Sequence, residues 1–174
     1  MQFERTILNG AWIITPDPIG DERGWFARTY CRREFEAHGI NFEVVQCNTS
    51  FNVSAGTLRG MHFQKEPAAE PKLVECVRGS IFDVIVDLRQ DSPTYLRQYG
   101  VELTEKNRKQ LFIPRSFAHG FLTLEDHTEV SYLMGEYYRT ECAAGLRYDD
   151  PALGIHWPAE IRVVSEKDRS WPLL

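Results

Sequence analysis

Gly56-Thr57-Leu58-Arg59-Gly60-Met61-His62-Phe63-Gln64 sets a guanidinium, an imidazole and an amide within nine residues of extended character. With side chains alternating at period two, Gly60, His62 and Gln64 share one face, and Arg59, Met61 and Phe63 the other. The stretch follows a polar, turn-like run, Asn48 to Ser54, and ends in a segment rich in Pro and Glu. A histidine flanked by glycine and an aromatic, on a strand with few charges, reads as a site residue. A buried structural histidine bonded to a backbone carbonyl is the alternative.

Downstream, Lys72-Leu73-Val74-Glu75-Cys76-Val77-Arg78 reads as a strand. Lys72, at its mouth, is either a solvated end or a charge aimed at a ligand. Gly79-Ser80 turns the chain into Ile81-Phe82-Asp83-Val84-Ile85-Val86-Asp87-Leu88. There Phe82, Val84, Val86 and Leu88 form one apolar face, leaving Asp83 between Ile81 and Ile85 on the other. A carboxylate in so apolar a strand must find a partner or shift its pKa. Asp83 is thus either an orienter for a histidine or the partner of a structural arginine. Tyr99 to Leu103 follows as a strand, residues 104–110 as a polar connection, and Arg115 to Leu124 as a strand with Phe117, His119 and Phe121 on one face. Thr128 to Met134 places Thr128, Val130, Tyr132 and Met134 on one side, ahead of a turn at Tyr137 and Tyr138.

Upstream, residues 1–15 read as one or two edge strands and Pro16 to Asp21 as a turn. Glu22 to Tyr30 interleaves aromatics with Arg23 and Arg28, either to grip an anionic, ring-bearing ligand or as an ordinary amphipathic strand. Residues 31–38 before Gly39 form a short helix with a glycine stop, and Phe42 to Gln46 returns to strand. Short strands at regular spacing, punctuated by Gly and Pro, predict an all-β barrel or sandwich.

The 174 residues suit a single domain, 1–174, large enough to bury a core. Net charge is −5 with Lys and Arg scattered, so no nucleic-acid stripe is expected, although a few local cations would suffice for an anionic ligand. Cys31, Cys47, Cys76 and Cys142 lack zinc or CxxC spacing and read as reduced thiols of a cytoplasmic protein. The N-terminal residues show no signal-peptide pattern, and no run of about 18 apolar residues forms a membrane span.

A metal site would want three or four ligands with a local pair. His62, His119 and His127 are each isolated in sequence, so no metal is expected. A histidine base, a tyrosine acid and a cation for a developing oxyanion suit acid–base chemistry instead. No nucleophile elbow or phosphate-binding glycine loop is present.

Leu58 to Gln64, Lys72-Leu73-Val74, Phe82-Asp83-Val84 and Ile113 to Phe121 resemble, in order, the dTDP-4-dehydrorhamnose 3,5-epimerase family. So do Asp149-Asp150-Pro151, Gly154 to Pro158 and Ser165 to Asp168. The similarity implies a cupin-type double-stranded β-helix (a jelly roll) with short flanking helices, normally a homodimer, working without metal or other cofactor. It implies a substrate that is a nucleotide-linked 4-keto-6-deoxyhexose. By the same resemblance His62 is the base, Asp168 its orienting partner, Lys72 the cation at the enolate oxygen and Tyr132 the acid on the opposite face. His119, steadied by Asp83, lines the sugar pocket with Tyr138. Arg23, Gln46, Asn48 and Arg59 match positions that hold the nucleotide and its diphosphate, and Lys167 another substrate contact.

Arg59 and His62 have opposite parity on a flat strand, so a bend at Gly60 or a ligand near the strand end is needed to bring both to one molecule. Two positions depart from the family pattern. Arg28 stands where a glutamate that helps recognise thymine is usual, and Ala143 where another substrate-contacting glutamate is common. The alternatives are an epimerase restricted to C3 or C5 of a CDP- or GDP-linked keto-sugar, a cupin ketoisomerase, or a non-catalytic sugar-nucleotide-binding barrel.

Overall fold

The computed structural model describes residues 1–174. In chain order the strands are β1 (Gln2–Arg5), β2 (Trp12–Thr15), β3 (Ile19–Asp21), β4 (Gly24–Phe26), β5 (Gln46–Asn52), β6 (Thr57–Gln64) and β7 (Lys72–Arg78). They continue with β8 (Ser80–Asp87), β9 (Gln98–Thr104), β10 (Gln110–Ile113), β11 (Phe117–Thr123), β12 (Thr128–Met134), β13 (Ala143–Gly145) and β14 (Val163–Val164). Two short helices flank them, α1 (Arg32–Ala37) and α2 (Glu166–Arg169). Neither is long and apolar enough to cross a membrane.

Alternation makes the two sheets. One runs β1-β2-β10-β7-β12-β5, and the other β13-β6-β11-β8-β9 with β14 added parallel to β6. Ile13, Val74, Cys76, Leu111 and Val130 point inward from the first and meet Ile81, Ile85, Leu103, Phe117 and Phe121 of the second. This shared interior makes the molecule the expected jelly roll. The outer faces are also covered. Phe35 of α1, with Ile40 and Phe42, packs on Ile14, Leu73 and Phe112, while Leu146 and Leu153 pack on Met61, Val84, Val86 and Ala118. Strand β8 is therefore apolar on both faces, and Asp83 is an inward carboxylate in the core.

Several local expectations change. Asn48 to Asn52, read as turn-like for its polarity, belongs to the edge strand β5, whose backbone pairs with β12. Phe42 to Val45 is irregular instead of strand: Phe42 is drawn into the outer cluster, and its carbonyl accepts the Tyr30 hydroxyl at 2.6 Å. Residues 19–26 form a separate two-stranded hairpin, β3–β4.

The register of β6 against β11 decides the site. His62 lies opposite His119 and Arg59 opposite Phe121, so three steps along β6 match two along β11. The additional residue is a bulge at Gly60-Met61, and it brings Arg59 round to the face of His62. The flat-strand assignment of Arg59 to the opposite face is thereby corrected. Gly60 has a φ of +147°, and a Cβ there would lie 2.6 Å from the Gly120 Cα. At Gly120 a Cβ would lie 2.8 Å from the Arg59 carbonyl oxygen and 2.6 Å from the Met61 sulfur. Gly120→Ala is accordingly expected to cost about 1–3 kcal/mol in chemical denaturation. An unchanged denaturation midpoint would show that the crossing has slack.

At the end of β8, Asp87 is fully buried and accepts the Arg89 guanidinium at 2.7 Å, the Ser92 hydroxyl at 2.5 Å and the Thr94 hydroxyl at 2.7 Å. Burial pushes its carboxyl up, but these donors together win and hold it down at about 2, against an ordinary 3.8. A depressed carboxyl contributes stability that is present above the ordinary value and lost as pH falls through the folded one. Asp87→Asn should therefore lower the melting temperature at pH 7 and much less near pH 2. An equal loss at both would assign the effect to shape instead of charge.

Candidate active site

Each functional side chain is held by an element whose sequence explains its position. His62 projects inward from β6, and α2 follows β14 so that Asp168 meets it: Asp168 Oδ1 lies 2.6 Å from His62 Nε2. Ser165 caps α2 by accepting the Asp168 N–H at 3.1 Å, and the Trp171 indole N–H donates to Asp168 Oδ1 at 3.3 Å. Asp168 is buried, which tends to raise its carboxyl. The hydrogen bond and charge of His62, with Gly60 and Ser165, outweigh this and leave it below the ordinary range. The bond occupies Nε2 of His62 and fixes that nitrogen as the N–H, leaving Nδ1 with its lone pair. The His62 side chain is 43% exposed, so that lone pair is reachable.

His119 forms a second, deeper pair: its Nε2 lies 2.9 Å from Asp83 Oδ2, with Asp83 wholly buried. The partner of Asp83 is thus histidine and not a structural arginine. Burial raises the Asp83 carboxyl, opposed by the charge and hydrogen bond of His119 and the charge of Lys72. From the facing sheet, Tyr132 points in from β12 with its hydroxyl 3.0 Å from Ser50 Oγ. Burial pushes the phenol well above its ordinary value, so it is a proton carrier at neutral pH. Lys72, on the neighbouring strand β7, is no solvated end: it is 5% exposed and donates to Glu70 Oε1 at 2.8 Å.

These groups surround a cavity of about 290 Å³ lined by Asn48, Arg59, His62, Lys72, His119 and Tyr132 among others. It adjoins one of about 480 Å³, which shares Arg59 and His62 and adds Glu70, Tyr138, Ala143, Lys167, Asp168 and Trp171. Arg59 is aimed by Asn52, whose Oδ1 accepts its Nε–H at 2.7 Å. Gln46 stands at the rim, donating to Asn48 Oδ1 at 3.1 Å and accepting the Tyr138 N–H at 3.3 Å. The arrangement offers a base on one wall, an acid on the facing wall, a cation beside the acid, and further cations toward an opening.

Arg23 is the exception. It lies on the exposed β3–β4 hairpin, paired with Asp21 and away from both cavities. Arg28 pairs with Glu34 at 2.8 Å. The supporting role of several residues, Gln64 of the central stretch among them, is seen only in the structure. Gln64 is buried and gives both amide ends to backbone: it donates to Ala68 O at 3.0 Å and Tyr137 O at 3.2 Å, and accepts the Arg139 N–H at 2.6 Å. Ser50, Asn52, Glu70 and Trp171 are not singled out by the sequence. Only Glu70 carried a local signal, an acid two residues before Lys72.

The barrel is shared with known proteins. The family model for dTDP-4-dehydrorhamnose 3,5-epimerase matches residues 5–174. The dTDP-4-dehydrorhamnose 3,5-epimerase of Methanothermobacter thermautotrophicus is 47% identical over 173 residues, covering 98% of this chain and 92% of that protein. The crystal structure of the Bacillus anthracis dTDP-4-dehydrorhamnose 3,5-epimerase, with TDP and PPi bound, superposes with a TM-score of 0.96 at 43% identity over 99% of each chain. That of the Legionella pneumophila dTDP-6-deoxy-D-glucose-3,5-epimerase, in complex with dTDP-4-keto-L-rhamnose, does so at 0.93 and 37%, covering 99% of this chain and 92% of that one. Sequence, barrel and near-complete mutual coverage agree, and the chain belongs to the dTDP-4-dehydrorhamnose 3,5-epimerase family.

Proposed function

We propose that the protein is an isomerase that converts dTDP-4-dehydro-6-deoxyglucose to dTDP-4-dehydrorhamnose by inverting C3 and C5. The observation that carries this reading is a carboxylate-held histidine and a buried tyrosine hydroxyl on the two facing sheets of one cavity.

Hydrogens on carbons beside a ketone are acidic because the carbanion delocalises onto oxygen as an enolate. His62 Nδ1 takes the proton, and the imidazolium formed is stabilised by Asp168. The Lys72 ammonium faces the C4 oxygen as charge develops there. Tyr132 delivers a proton from the opposite wall, which inverts the centre; solvent then recharges the phenol and discharges His62. His119, held by Asp83, and Tyr138 line the sugar, while Arg59, Asn48, Gln46 and Lys167 take the nucleotide and its diphosphate.

Arg23 enters this reading through a second copy of the chain. Its hairpin exposes Ile19, Trp25 and Phe26, a surface suited to cover by a homodimer partner and to reach the partner's cavity. Sedimentation of the parent should give a dimer and Trp25→Glu a monomer; a monomeric parent would remove this part. Four free cysteines suit a reducing, cytoplasmic setting.

The test is incubation with dTDP-4-keto-6-deoxyglucose in heavy water, following deuterium at C3 and C5 by NMR. Exchange at both carbons with the new configuration is expected. Exchange at one carbon would reduce the activity to a mono-epimerase, and binding without exchange would overturn the catalytic reading.

A further inference from the structure

The segment between β6 and β7, residues 65–71, has no regular structure; residues 65–67 are exposed, yet residues 68–71 are buried, with Ala68 and Ala69 0% exposed and Glu70 8%. Buried loops are costly because their backbone groups lose water. Here three carbonyls are met from three different parts of the fold. Ala68 O accepts from Gln64 of β6, Ala69 O from the Arg115 guanidinium at 2.5 Å, and Pro71 O from the Gly135 N–H at 2.9 Å. The segment ends at Glu70-Pro71-Lys72, where the proline restricts the backbone between acid and base. Glu70 lines the larger cavity and Lys72 the smaller, so their ion pair stands where the two meet.

We propose that Glu70 is a positioning residue for the epimerisation, fixing the Lys72 ammonium at the junction of the two cavities. The inference rests on the epimerase reading above. An ammonium removed from water loses its charge readily unless a counter-charge is at hand. The other charged and titratable groups facing Lys72 are Asp83 of β8 and His119 of β11, which are paired with each other, and His62, Arg59 and Tyr132 from β6 and β12. Of the carboxylates, Glu70 is the one in hydrogen-bond contact with the ammonium. The pinned loop holds that contact to one geometry, so the cation does not have to be gathered when the enolate forms.

The experiment compares parent with Glu70→Gln, which keeps the shape and removes the charge. Its kcat should fall about tenfold to a hundredfold with little change in KM. The alkaline limb of kcat should move to lower pH once the counter-charge is gone. Protein labelled with 13C-lysine, with Lys72→Met to assign the signal, reads the same midpoint from the Lys72 Cε shift without any substrate. An unmoved midpoint and parental kcat would overturn the inference while leaving the epimerase reading intact. A parent that does not turn over substrate would fail the reading, and the lysine titration would still report on the pair. Should Glu70→Gln not fold, Glu70→Asp decides. It retains the charge with shorter reach, so kcat should fall with the alkaline limb in place, and parental kcat would overturn the positioning role.

Discussion

Replacing His62 by asparagine is expected to lower the epimerisation rate by about 10²–10⁴-fold and to abolish solvent exchange at C3 and C5 together. The size of the effect follows from the geometry. His62 reaches the cavity with one ring nitrogen free, and its other nitrogen is engaged 2.6 Å from a buried carboxylate. Asparagine can still bond Asp168, so the variant should fold, but it carries no basic lone pair to accept a proton from carbon. Rates measured by deuterium incorporation check the point, with circular dichroism as the control for folding. Parental exchange in His62→Asn would remove the histidine from the proton-abstraction step and direct attention to His119. That second imidazole is only 5% exposed and tied to Asp83, a poorer position for meeting substrate.

Tyr132→Phe should separate exchange from inversion. The hydroxyl stands on the sheet facing His62, and burial keeps it protonated, so it is the donor available to the far face of the enolate. Phenylalanine keeps the packing and removes the proton. His62 can then abstract a proton and return a deuteron to the same face, giving deuterium incorporation with the configuration retained. Inversion is expected to fall by about 10²–10⁴-fold while exchange persists. Loss of both in parallel would place Tyr132 in substrate binding, and parental inversion would exclude it as the acid. The cost to stability should be about 1 kcal/mol, from the lost hydrogen bond to Ser50.

The two results bear on different walls of one cavity, and the barrel explains why that division is possible. A jelly roll presents inward side chains from two sheets across a narrow interior, so a flat enolate placed between them has a base on one face and an acid on the other. The bulge at Gly60 brings Arg59 to the wall that carries His62.

The sequence alone determined the central strands β6, β7, β8, β9, β11 and β12 and most of their faces. Alternation is a local property, so His119 beside Phe117 and Phe121, Tyr132 beside Val130, and Asp83 between Ile81 and Ile85 could each be assigned to the interior from neighbouring residues. Asp83 even announced the need for a partner, because a carboxylate in an apolar strand must be satisfied. The family motifs then named His62 with Asp168, although the two stand 106 residues apart.

Tertiary structure alone decided what depends on two strands at once. Polarity made Asn48 to Asn52 look like a turn, but the pairing of β5 with β12 outweighs composition at a sheet edge. Parity put Arg59 on the wrong face, because a bulge is set by the register against β11 and by the room Gly60 and Gly120 leave each other. Its own strand left Lys72 open between a solvated end and a charge aimed at a ligand; a loop buried over residues 68–71, pinned by Gln64, Arg115 and Gly135, brings Glu70 over it. Period-two patterning states which way a side chain points; which groups lie opposite it is fixed by long-range packing, which no local stretch encodes.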